Sequence, residues 1–145
     1  MLKLGSGILS IWLILNFIPS SVIVVDTLFR GGHTPALYAV LTEEEVSSLS
    51  AEVLTTIDSI AVFANGTNIA FSILALPAVW MGLNRRQAWA FWVLLAGFAA
   101  ALIGGTAADY VVGWKFPWVN VLSGGILACG FGCAAVGLFR NERAS

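Results

Sequence analysis

Charge is scarce in this chain of 145 residues: only 10% are Asp, Glu, Lys or Arg. A soluble domain of that length needs a much larger polar fraction to cover its surface, so a water-soluble layered fold is set aside. The seven Lys and Arg residues form no stripe, which argues against a nucleic-acid partner. Cysteine is limited to Cys129 and Cys133, both in an apolar segment, and two such residues do not make a disulfide framework. Histidine occurs once, at His33. Di-iron centres, bis-histidine haem and most zinc sites need several such ligands, so none of them is expected. No internal repeat, low-complexity linker or second domain divides the chain. No nucleotide, metal or cofactor motif stands out either, so the residues name neither a cofactor nor a substrate.

Apolar residues are abundant, at 59%, with a mean hydropathy of +0.90. Four windows carry no charge: Leu4 to Val25, Ser59 to Asn84, Gln87 to Ala108 and Phe116 to Phe139. A transmembrane helix needs roughly 20 mostly apolar residues to cross a hydrocarbon core of about 30 Å. Each window is long enough, and lipid leaves only helices or closed barrels as spanning structures. Barrel strands would alternate apolar and polar residues over about ten positions, which these windows do not. The expected fold class is therefore an all-α integral membrane protein, a four-transmembrane-helix bundle forming a single domain over 1–145. Its spans fall at about 4–25, 57–83, 87–108 and 117–139, with an outer loop at 26–56. The first window is read as a retained helix. Its apolar run is longer than a typical signal-peptide core, and Pro19-Ser20-Ser21 is a poor cleavage site.

Positive charge sets orientation. With four spans, one side holds Lys3, Arg85, Arg86, Arg140 and Arg143, and the other holds Arg30 and Lys115. Lys and Arg near helix ends are retained in the cytoplasm, so both termini are expected inside. Tryptophan agrees with this register. Trp80, Trp89 and Trp92 fall near the cytoplasmic ends of the second and third spans, and Trp114 and Trp118 near the outer ends of the third and fourth. Indole rings favour the headgroup level, and this default outweighs a tryptophan-lined ligand site.

The outer loop starts with the turn-forming run Arg30-Gly31-Gly32-His33-Thr34-Pro35. Thr42-Glu43-Glu44-Glu45 then reads as a capping box, with three carboxylates in the first turn of a helix. Val46, Leu49, Val53, Leu54 and Ile57 recur at helical spacing, which predicts an amphipathic outer helix before or continuous with the second span. The glutamates are not followed by ligands at calcium-loop spacing. His33 belongs to the one side-chain type that titrates near neutral pH, and it is placed in a solvated turn. Asn65-Gly66-Thr67 matches a glycosylation pattern but lies within a span, beyond the reach of any transferase.

Two sets of residues could carry function. The first is polar: Asn16 in the first span, Asp58, Asn65 and Asn68 in or beside the second, Asp109 at the end of the third and Asn120 at the start of the fourth. Asn16 and Asn65 have matching depths, roughly 12–14 Å below the outer boundary at the helical rise. Polar groups so deep should face the bundle interior, either as interhelical hydrogen-bonding glue or as an outward-opening polar cavity ringed by Asp26, Asp58 and Asp109. The second set consists of small residues at four-residue intervals. Gly97, Ala101 and Gly105 lie in the third span, and Gly125, Cys129, Cys133 and Gly137 in the fourth. They predict close packing of these two helices, or an interface with a second copy or a membrane partner. Cys129 and Cys133 themselves are read as small hydrophobes.

Three functional classes follow. The chain is expected to be an accessory or scaffolding membrane subunit that packs with itself or a partner, since small helix faces are plentiful and chemical motifs are not. The alternatives are an oligomeric transporter or channel using the polar set, and a membrane-embedded enzyme acting on an apolar or lipid substrate through Asp58, Asp109 or His33. The lipid bilayer is the one partner common to all three.

Overall fold

The computed structural model describes residues 1–30, 33–111, 113, 115 and 117–140, apart from the side chain of Ala36. Gly31, Gly32, Trp114 and Arg143 lie outside the described residues. The described residues form six α-helices: α1 (Leu2–Phe29), α2 (Pro35–Val40), α3 (Glu43–Ser48), α4 (Ala51–Pro77), α5 (Ala88–Val111) and α6 (Pro117–Phe139). A π-helical segment, Ala78–Leu83, continues α4. No strand occurs among the described residues. Among the described residues, four helices are long and apolar enough to cross a membrane: α1, α4 with its π-helical extension, α5 and α6. The second of these runs for 33 residues. At the α-helical rise that is about 50 Å, well beyond a hydrocarbon core of about 30 Å.

The expected capping box is present. Thr42 Oγ1 accepts from the Glu45 amide at 3.3 Å, and Glu45 Oε2 accepts from the Thr42 amide at 2.8 Å. The amphipathic helix that this cap was expected to start is, however, broken. Leu49 is extended, with φ −75° and ψ 146°, so α3 stops after six residues. A second start follows at Ser50, whose Oγ accepts from the Val53 amide at 3.3 Å. The apolar series Val46, Leu49, Val53, Leu54 and Ile57 is thus shared between two helices. Serine side chains help to end α3: Ser47 Oγ donates to the Glu44 carbonyl and Ser48 Oγ to the Glu45 carbonyl. These are the local bonds by which serine competes with a regular helix.

At the far end of α4, Pro77 lacks an amide proton, and the ladder beyond it widens. The amides of Asn84 and Gln87 donate five residues back, to Val79 and Gly82. Proline and π-type turns commonly occur where a helix ladder is disturbed. The turn into α5 is closed by the Arg86 amide on the Leu83 carbonyl at 2.9 Å. Arg86 has φ +59°, the left-handed region that favours glycine.

The described chain divides into two compact units. One contains Met1–Ile14 and the described residues from Ile73 onward. Its core is built on aromatic edges. Phe98, only 1% exposed, packs edge-to-face on Trp12 at 5.1 Å and on Phe131 at 5.4 Å. Phe91 meets Phe131 and Phe139, each at 5.6 Å. Such offset contacts suit the ring quadrupoles. The indole N–H of Trp80 donates to Ser10 Oγ at 2.9 Å and ties the π-helical turn to α1.

Small residues also bring α1 against α6, a contact that the rows in the third and fourth spans did not indicate. A Cβ on Gly5 would fall 2.5 Å from the Ala134 nitrogen, and one on Gly137 would overlap Leu2. Gly130 packs under Leu9 and Ile8. The close backbone approach in this unit is therefore between α1 and α6. α5 and α6 also pack on each other, through these phenylalanines and with Gly124 of α6 facing Leu102 of α5. Gly105 does face α6, but it faces Asn120, and Gly125 has nothing within 4 Å of a Cβ position. Gly97 is half-buried.

The other unit, Leu15–Ser72, contains the rest of α1, the short helices α2 and α3, and most of α4. Leu37 and Val46 are its buried apolar residues from α2 and α3, at 5% and 4% exposure.

Candidate functional site

Two carboxylates organise the polar side chains, one in each unit. In the unit of α2 to α4, Asp58 lies two turns into α4 and reaches the start of α2. Its Oδ2 accepts from His33 Nδ1 at 2.9 Å, and its Oδ1 accepts from the Thr34 amide at 2.8 Å. Thr34 is the N-cap of α2, with Pro35 following as the first helical residue. The cap side chain makes no capping bond, and Thr34 Oγ1 is buried without a partner. Asp58 therefore anchors the stretch entering α2 that its own N-cap leaves unfastened. Both carboxylate oxygens are used, and its side chain is 18% exposed against 37% for His33.

In a neutral imidazole, giving Nδ1–H to Asp58 leaves Nε2 as an acceptor. His33 borders an open groove of about 400 Å³ shared with Tyr38, Glu43, Val46, Ser47 and Leu54. An oriented imidazole is the arrangement that general-base chemistry uses. The nearby hydroxyl of Ser47 is committed to the Glu44 carbonyl at 2.8 Å. On the other side of Asp58, a second groove of about 450 Å³ is lined by Thr27, Leu28, Thr55, Val62 and Phe63. It is mainly apolar. None of Asn16, Asn65 and Asn68 lines it.

In the unit of α5 and α6, Asp109 is 6% exposed, and Asn120 Nδ2 donates to its Oδ2 at 3.0 Å. A Cβ on Gly105 would sit 3.6 Å from Asn120 Oδ1, so the glycine leaves room for the amide. This pair joins the end of α5 to the start of α6. Among the described residues, no group of three His, Cys, Asp or Glu side chains is close enough to hold a metal ion.

No protein-family model matches the chain, and no curated protein or solved structure is detectably similar to it.

The polar set is brought together only in part. Asp109 and Asn120 meet. Asp58 meets His33, a pairing that sequence spacing did not reveal because 25 residues separate them. Asp26 forms an i,i+4 ion pair with Arg30 at 3.0 Å. Asn65 donates to the Ala61 carbonyl of its own helix at 2.8 Å, so its amide is engaged within α4. Asn68 is exposed, and Asn16 is half-buried. The signal that could have found the Asp58 contact was the Thr34-Pro35 helix start. That start lacks an acidic residue in its first turn, and an outside carboxylate is the natural complement to its free amides.

Proposed function

We propose that this chain is a multi-pass membrane protein with both termini in the cytoplasm, and that it serves as an accessory or scaffolding subunit assembling within the bilayer. The observation that carries the reading is one face of α6. Gly125, Ala128, Cys129 and Gly132 are all exposed along it, and a Cβ on Gly125 or Gly132 would meet nothing within 4 Å. Small residues in this pattern allow a second helix to approach closely, where van der Waals contact and interhelical hydrogen bonds replace the hydrophobic driving force. Ala96, Ala100 and Gly104 form a comparable exposed row on α5.

Cys129 sits in the α6 face and is exposed, so it is a natural reporter. Crosslinking native membranes with a short bis-maleimide should give a discrete adduct through Cys129, retained in Cys133→Ser and lost in Cys129→Ser. The mass of the adduct distinguishes a second copy from another membrane protein. Absence of any Cys129-dependent adduct would refute the assembly reading. Orientation is tested separately, with Ser48→Cys in a background lacking both native cysteines. An impermeant maleimide should label it from outside intact cells, and labelling only after permeabilisation reverses the topology.

A second reading, an enzyme acting on an apolar or lipid substrate, is favoured by the Asp58-oriented imidazole beside its groove. Turnover of an added lipid that is lost in His33→Gln, in a variant that still folds, would support it over assembly alone.

A further inference from the structure

Three basic side chains from distant parts of the sequence converge in the unit of α5 and α6. Lys3 of α1, Arg86 of the turn before α5 and Arg140 at the end of α6 line one open groove of about 460 Å³. Met1, Leu2, Val136 and Gly137 complete its wall. The convergence is built into the packing. The glycine contacts Gly137 to Leu2 and Gly5 to Ala134 hold α1 against α6 backbone to backbone, which sets Lys3 beside Arg140. Arg86 is held by the left-handed turn that closes on Leu83.

The charge is not compensated within the described protein. No acidic residue lines the groove. The described ion pair of Arg30 with Asp26 and the hydrogen bond of His33 to Asp58 use none of its three cations. The described acid of this unit, Asp109, is engaged with Asn120. Like charges gathered without a counter-charge raise the local potential and favour an anion. Arginine adds a planar donor fork that matches phosphate oxygens, and lysine adds a mobile point charge. The apolar wall gives a neighbouring surface on which the first carbons of a lipid could rest.

We propose that this groove binds a phosphate anion, carried by an anionic phospholipid headgroup or free in solution. The inference does not depend on the assembly reading, since α6 presents its small-residue face through other residues.

The test is native mass spectrometry of the full chain in a neutral detergent, with dioleoyl phosphatidylglycerol, dioleoyl phosphatidylcholine and inorganic phosphate as probes. Phosphatidylglycerol should be retained well above phosphatidylcholine. The double variant Arg86→Gln with Arg140→Gln should weaken that retention about 30-fold, since each basic side chain near anionic lipid contributes on the order of a five-fold factor. Lys115→Gln, outside the groove, should leave it unchanged. Replacing both arginines by lysine keeps the charge and should recover most of the binding. Should the double variant fail to fold, Lys3→Gln provides the same comparison from an exposed position, with about a five-fold loss. Displacement of the lipid by millimolar inorganic phosphate assigns the site to free phosphate, whereas insensitivity assigns it to the headgroup. Equal retention of the two lipids, or equal retention of phosphatidylglycerol by the wild type and the folded glutamine variants, would overturn the proposal.

Discussion

Replacing Gly5 by alanine adds one methyl group where α1 and α6 cross backbone to backbone. That carbon would lie 2.5 Å from the Ala134 nitrogen, 2.6 Å from the Gly130 oxygen and 2.9 Å from the Ala134 Cα. All three atoms are main chain in α6, so no rotamer change can make room, and α1 must move away. Overpacking of this kind costs up to about 3 kcal/mol. Alanine recovers about 1 kcal/mol of helix propensity relative to glycine. The net loss is about 2 kcal/mol, a factor of roughly 30 in the folded-to-unfolded ratio. Gly132→Ala is the matched control, because its new carbon meets nothing within 4 Å. It should be neutral or slightly stabilising. The assay is reversible unfolding in mixed neutral-detergent and SDS micelles, followed by tryptophan fluorescence. Equal midpoints for Gly5→Ala and Gly132→Ala would refute the close contact of α1 with α6.

Three further outcomes are expected. Asn120→Ala removes an amide that donates to buried Asp109; with a buried acceptor losing this donor, the loss should be about 1–3 kcal/mol in the same unfolding assay. Asp58→Ala releases both His33 and the Thr34 amide, so hydrogen exchange over α2 and α3 should accelerate while α5 and α6 keep their protection. Thr42→Ala breaks the capping box at a local cost of about 1 kcal/mol, and exchange should rise in α3 alone.

The four long helices were legible because charge-free runs mark their middles, although α1 runs past Lys3 and Asp26, α4 starts before Asp58 and α5 ends after Asp109. The window from Phe116 to Phe139 lies within one residue of α6, whose first residue is Pro117. Lipid-length apolar runs leave little choice of secondary structure, so these elements follow from composition. The break at Leu49 was not legible. Its apolar spacing continues a helical stripe, and only the serine bonds around it, which depend on rotamer and context, end the helix. The polar positions were legible as residues but not as pairs. Asp109 and Asn120 are 11 apart and joined by a short connection, whereas Asp58 and His33 require α4 and the start of α2 to meet. For asparagines the ambiguity is intrinsic: a side chain such as Asn65 can be satisfied by its own helix, and periodicity then points to a partner that it does not need. Small-residue rows have the same weakness. They mark where backbones can approach, not which helix does so: Gly137 of the α6 row meets Leu2 of α1.

The left-handed backbone at Arg86 has a consequence for how this protein could be altered. A side chain in that conformation is less stable than glycine by roughly 1–2 kcal/mol. Glycine would thus make the hairpin before α5 more robust, at the expense of one of the three cations around the groove. Stability and charge are opposed at this single position. A screen for hardier variants would be drawn toward Arg86→Gly, and would then select a protein that withstands heat better while holding anions less well.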